Sequence, residues 1–283
     1  MLKTRVITAI ALLAGLLAAL FFLPKLAWAG FCGLICALAA WEWGGLAGWG
    51  GRARIVYGTV LGCLCLFLFD LREKSVELQL FRLAAYYVAA FFWLLVVPLW
   101  LRYKWRLRSW SAVPVGIIVL VPPSLFFFAL RELLGPWGLL AACALVWVAD
   151  IAAYFSGRAF GGKKLAPNIS PGKTWAGAKG AVIGVLVYCN VGLWLVPDMF
   201  LSSVPNEFSV PLVLLFQFIF FVLAVWSIIG DLFESLLKRH AGVKDSSNLL
   251  PGHGGILDRI DSLTSTLPLM LVLLLPVYLL SGL

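Results

Sequence analysis

Charge is scarce in this chain. Of 283 residues only 12% are Asp, Glu, Lys or Arg, against about 25% in a typical soluble domain, which excludes an ordinary soluble enzyme. No CxxC pair occurs. Cys32, Cys36, Cys63, Cys65, Cys143 and Cys189 all lie inside apolar runs as small hydrophobes, so disulfides and zinc sites have no support. Internal repeats are missing, against the inverted-repeat plan of many transporters. The alternating short segments of an outer-membrane barrel are missing too. A phosphate loop is incomplete: Gly172-Lys173-Thr174 ends like GxxxxGK[ST], but Pro167 stands where the upstream glycine belongs.

What the chain has in abundance is apolar surface. Hydrophobic residues make up 63%, mean hydropathy is +1.00, and 20 Phe with 13 Trp exclude a disordered chain. The apolar runs are Val6–Leu23, Leu26–Trp49, Ile55–Phe69, Leu83–Leu101, Ser111–Leu130, Gly135–Phe155, Gly177–Val196, Phe208–Gly230 and Ser262–Leu280. Each must be helical, because a spanning segment satisfies its backbone hydrogen bonds internally. The expected fold class is therefore all-α: a polytopic integral membrane protein with about nine transmembrane helices. Residues 1–283 are expected to form one membrane-embedded domain. Lys3 and Arg5 precede the first run, and Ala27-Trp28-Ala29 after it mimics a signal-peptidase site. That run is nonetheless long enough to span, and we take it as an uncleaved first helix.

Topology follows from the cations. With the N-terminus in the cytoplasm and sides alternating, 17 of the 22 Lys and Arg fall on the cytoplasmic side. Only Lys25, Arg72, Lys74, Arg82 and Arg131 fall on the other. Orientation of this kind accounts for most of the +9 net charge without a nucleic-acid partner. The expectation is a multi-pass protein of the inner (cytoplasmic) membrane with both polar loops, about 156–176 and 231–261, on the cytoplasmic side.

The second loop gathers five carboxylates, four cations and both histidines of the chain between Asp231 and Asp261. Topology explains cations but not five acids among them. Asp231 and Glu234 are three apart, as are Asp258 and Asp261, so a helix would place each pair on one face. Oxygen ligands without Cys or His spacing suit a hard cation, chiefly Mg2+. Interleaved Lys and Arg suit the phosphate oxygens of a metal-bound triphosphate. A salt-bridged surface loop remains the alternative from the residues alone. In the first loop, Asp150 sits within an apolar run, where a carboxylate is costly and points to function. Glu42, between Trp41 and Trp43, is the other buried acid: either it pairs structurally with a loop cation or it lines the site.

The 27 residues from Ser235 to Asp261 fit the pattern S-x-x-K-R-x4-K-D-x-[small]-x2-L-P-x-H-G-G-x-x-D-R-x-D. This resembles the signature of the phosphatidate cytidylyltransferase (CDP-diacylglycerol synthase) family, and Asp150–Lys173 looks like that family's second loop. Ala176 departs from the family, which usually has Glu or Gln there. The resemblance implies transfer of a cytidylyl group from CTP to phosphatidate, with CTP, phosphatidate and membrane lipid as partners. It implies Asp231 and Asp258 as catalytic metal ligands for Mg2+, leaves room for a second cation, and leaves homo-oligomer formation open. It further implies phosphate contacts from Lys173, Lys238, Arg239, Lys244 and Arg259. Ser170 and Asp150 join the substrate-binding set, while Asp245, Asp261 and His253 are supporting or proton-handling groups. A CDP-alcohol phosphotransferase does not fit, because Asp258-Arg259-Ile260-Asp261 has the wrong spacing for its motif.

Overall fold

The computed structural model describes residues 2–69, 76–195 and 209–281. Arg72, Lys74, Val196 and Phe208, named above, lie outside the described residues, as do the side chains of Lys3 and Arg5. The helices are α1 (Leu2–Phe22), α2 (Lys25–Leu46), α3 (Gly51–Leu68), α4 (Val76–Phe91), α5 (Val97–Tyr103), α6 (Ser109–Phe160), α7 (Trp175–Leu195), α8 (Ser209–His240) and α9 (Leu257–Ser281). The all-α class expected from the apolar runs holds. A small antiparallel hairpin, β1 (Lys164–Ala166) with β2 (Ser170–Thr174), interrupts it within the first polar loop.

The count of nine spans is not reproduced as such. Among the described residues seven helical stretches are long and apolar enough to cross a membrane, and the apolar part of α1, Val6–Phe22, is shorter. One of the seven, α6, covers two of the expected segments. Straight, its 52 residues would run about 78 Å, far beyond the ~30 Å hydrocarbon layer. It is not straight. Gly135 adopts φ 69°, ψ −179°, a conformation closed to side-chain-bearing residues, and Pro136 follows it.

The contacts on either side of Gly135 show the reversal. Near its start α6 meets the α2–α3 turn, where Trp49 Nε1 donates to Ser109 Oγ at 2.7 Å. By Arg131 it has reached the opposite end of α2, where the guanidinium donates to Leu20 O at 2.8 Å and Leu23 O at 2.6 Å. Beyond Gly135 the chain returns toward the polar loops, and Gly157 packs beside Thr174 and Gly177.

A second irregularity joins α4 to α5, where Phe92–Val96 form one wide π-turn with Val97 N–H bonded to Phe92 O. In that register Pro98 should donate to Trp93 O, but proline has no N–H. Trp226 Nε1 on α8 donates to Trp93 O instead, at 3.0 Å. The helices α8 and α9 are bound by hydroxyls that donate to the neighbouring backbone, Ser262 Oγ to Ser227 O (3.1 Å) and Ser265 Oγ to Trp226 O (2.8 Å). Such bonds suit a membrane interior, where small polar residues let helices approach. A Cβ added at Gly230 would lie 2.8 Å from Asp261 O, so glycine there sets how closely Asp231 and Asp261 approach.

Candidate active site

The residues just before α9 and its first turn form a dense carboxylate-centred network. Asp258 Oδ1 accepts Lys238 Nζ at 2.5 Å. Its Oδ2 accepts Ser246 N–H, Ser246 Oγ and Gly255 N–H, each at 2.8 Å. The side chain is 4% exposed. Lys238 also lies 3.2 Å from Glu234 Oε1, an ion pair without hydrogen-bond alignment, and is itself buried. Lys238 is thus held between two acids inside the protein.

Asp231 has a different setting. Its Oδ2 lies 2.5 Å from Lys173 Nζ on β2, its Oδ1 accepts Ser235 Oγ at 3.2 Å, and its side chain is 30% exposed. The pair faces a cavity of about 590 Å³ lined by Asp150, Arg158, Lys173 and Asp231, and by Ala149, Ala153, Tyr154 and Ile228. Asp150 is within electrostatic reach of Asp231, Lys173 and Arg259, and Asp261 within reach of Asp231, Asp150 and Lys238. Tyr154 of this wall is itself exposed on α6.

A second cavity of about 420 Å³ is lined by Lys244, Asp245, Asn248, His253, Gly254 and Arg259 with their loop neighbours. Lys244, Asp245 and Arg259 are exposed there. His253 Nδ1 is buried without a hydrogen-bond partner. Arg259 joins the two cavities, lining this one while within reach of Asp150 in the other.

Of the residues expected at the site, Asp150, Lys173, Asp231 and Asp261 come together, as do Lys244, Asp245, His253 and Arg259. Lys238 and Asp258 form the partition between polar loop and helix bundle. Two residues stand apart. Ser170 sits at the turn end of the hairpin, opposite Ala166, outside both cavity linings. Arg239 donates to Ile169 O and Val243 O, both at 3.3 Å, and so ties hairpin to loop. Among the described residues Glu42 pairs with no loop cation: it accepts four hydrogen bonds from the Ser246–Leu257 segment.

Among the described residues no three His, Cys, Asp or Glu side chains form a metal-holding group. Asp150 and Asp231 nonetheless line the larger cavity, with Asp261 in electrostatic reach of both, and they offer oxygen donors only, the kind a hard cation takes. Mg2+ commonly uses one or two carboxylates and completes its shell with water and substrate phosphates. Asp231 fits that use. Asp258 fits less well, because Oδ2 already accepts three hydrogen bonds and Oδ1 one.

Residues 3–276 match the model of the cytidylyltransferase family. The chain belongs to that family. It is 39% identical over 282 residues to a phosphatidate cytidylyltransferase of Pseudomonas aeruginosa, spanning 97% of each chain. Against the protein of that name from Haemophilus influenzae identity is 36% over 300 residues, spanning 95% of this chain and 96% of the relative. The Bacillus subtilis one is 33% identical over 222 residues, spanning 76% and 77%. The cavities described above are therefore those of a cytidylyltransferase family member.

Proposed function

We propose that this chain transfers a cytidylyl group from CTP to phosphatidate, releasing pyrophosphate and leaving CDP-diacylglycerol in the bilayer. One observation carries the reading beyond the family: the larger cavity is amphiphilic. Its charged wall holds Lys173, Asp231 and Asp150, while its apolar wall includes Tyr154, which is exposed on a spanning helix. A lipid phosphate reaches a polar centre from the membrane only through such a surface.

The chemistry needs positioning and charge neutralisation more than covalent help from the protein. A phosphatidate oxygen attacks the α-phosphorus of CTP, and the bond to the bridging oxygen of pyrophosphate breaks. Lys173 stands where the lipid phosphate would rest. Lys244 and Arg259, exposed on the smaller cavity, are free to neutralise the nucleotide's oxygens. Asp231, supported by Asp150 and Asp261, would hold Mg2+, which when bound draws charge from the phosphates as they rearrange. The cation bias supports an inner-membrane protein with its N-terminus and both cavities on the cytoplasmic side, where CTP is present.

Pyrophosphate release by the purified protein tests this reading. It should require CTP and phosphatidate together and match CDP-diacylglycerol mole for mole. Release from CTP without lipid, or none with both, would refute it.

A further inference from the structure

Glu42 lies on α2 with no exposure at all, yet its carboxylate is fully engaged. Oε2 accepts Leu257 N–H at 2.7 Å and shares the single Ser246 hydroxyl proton, at 3.0 Å, with Asp258 Oδ2, while Oε1 accepts Ser247 Oγ at 2.6 Å and Ile256 N–H at 2.9 Å. These partners lie 204 to 215 residues away in sequence. Two of them are backbone amides at the start of α9, where unpaired N–H groups and the helix dipole favour a negative charge. The carboxylate therefore caps a helix from another part of the chain. A nearby cation, Arg54, is committed elsewhere: it stacks on Trp41 at 3.9 Å and donates to Trp41 O at 3.1 Å.

The linkage continues into the site. Ser246 is hydrogen-bonded to Glu42 through its hydroxyl and to Asp258 through its N–H, and Asp258 holds Lys238. Between these anchors runs the loop that carries Lys244, Asp245 and His253, and Arg259 follows directly. There is no slack at the joint, since a Cβ at Gly255 would sit 2.5 Å from each Glu42 oxygen. A buried carboxylate is an expensive way to hold two helices together, and apolar packing would serve that purpose as well. What it does here that an apolar residue cannot is fix four donors of an otherwise irregular loop.

We propose that Glu42 is a positioning residue for the transfer reaction, which sets Lys244 and Arg259 against the smaller cavity by fixing Ser246, Ser247 and the start of α9. This rests on the reaction proposed above. Glu42 touches no substrate and acts through the loop.

The test compares Glu42→Gln, Glu42→Asp and Gly255→Ala with wild type. Turnover is measured well below each melting temperature, together with backbone hydrogen exchange over 244–257. Gln can present only one oxygen and turns an amide toward donors, so kcat/KM should fall about 10- to 100-fold, the scale expected from small misplacement. Exchange should quicken in 244–257 and stay as in wild type along α6 and α7. Asp keeps the charge one methylene short and should recover part of the activity. Gly255→Ala, which leaves every donor and acceptor in place, should reproduce the loss and decides the matter if Glu42→Gln fails to fold. Lower melting temperatures and uniformly faster exchange, with kcat/KM within twofold of wild type, would overturn the proposal. A wild-type protein inactive on CTP and phosphatidate would instead refute the reaction, while the exchange pattern still reports on Glu42.

Discussion

Lys173 Nζ lies 2.5 Å from Asp231 Oδ2, joining the β-hairpin of the first polar loop to α8 across the mouth of the larger cavity. Both side chains are partly exposed, at 25% and 30%, so the ion pair contributes little to stability, about 1 kcal/mol at most. Its significance is local charge. Lys173→Met or Asp231→Asn should each lower kcat/KM by roughly two orders of magnitude with melting in detergent nearly unchanged. The double variant should lose much less than the two losses multiplied, because the groups act on one centre. Full multiplicativity in that cycle would show that they work independently.

Divalent metal should be required. Asp231 and Asp150 line one cavity with Asp261 in electrostatic reach, and all three offer the oxygen donors Mg2+ takes. EDTA in excess should abolish turnover and Mg2+ should restore it. Undiminished rates in EDTA would remove the metal from the account.

Asp258 and Lys244 should behave oppositely. Asp258 accepts four hydrogen bonds while nearly buried, so Asp258→Asn turns an NH2 toward either Lys238 or a cluster of N–H groups. Breaking a buried pair in this way costs about 3 kcal/mol or more, visible as a lower melting temperature as well as lost activity. Lys244 is exposed, and Lys244→Met should lose about ten- to a thousandfold in activity with its melting temperature unchanged. Equal melting temperatures for the two variants would contradict this division.

Sidedness is open to direct chemistry. Ser246 is buried and a poor labelling site, whereas Asn248, two residues on, is exposed. Asn248→Cys, on a background without the six native cysteines, should react with an impermeant maleimide only from the cytoplasmic face. Labelling in intact cells would invert the topology.

The helices were legible because hydrocarbon leaves the backbone no alternative to hydrogen-bonding itself, so apolar runs and helices coincide. Where one helix ends is another matter. Ser111–Leu130 and Gly135–Phe155 lie on the two limbs of α6, which Gly135 and Pro136 reverse just past the charged Arg131 and Glu132. The hairpin at 164–174 was hidden because Pro171 and Gly172 lie within β2, where strand propensity is low. At the site, the polar loop from Asp231 to Asp261 exposed Asp231, Lys244, Asp258 and Arg259 as residue types but not their division of labour. That depends on which oxygens are already occupied, as at Asp258, and which face a cavity, as at Asp231. Glu42 could be recognised as a buried acid, but four partners more than 200 residues away leave no trace in local sequence.

The most direct measurement follows the α-phosphate of CTP. Protein purified in mixed micelles with phosphatidate and Mg2+ is given CTP labelled at that position, and label is counted in the lipid phase. Wild type should pass the label into CDP-diacylglycerol, and Asp231→Asn should do so at least about a hundredfold more slowly. Label that stays in water with wild type, or enters lipid equally fast with Asp231→Asn, would contradict the account.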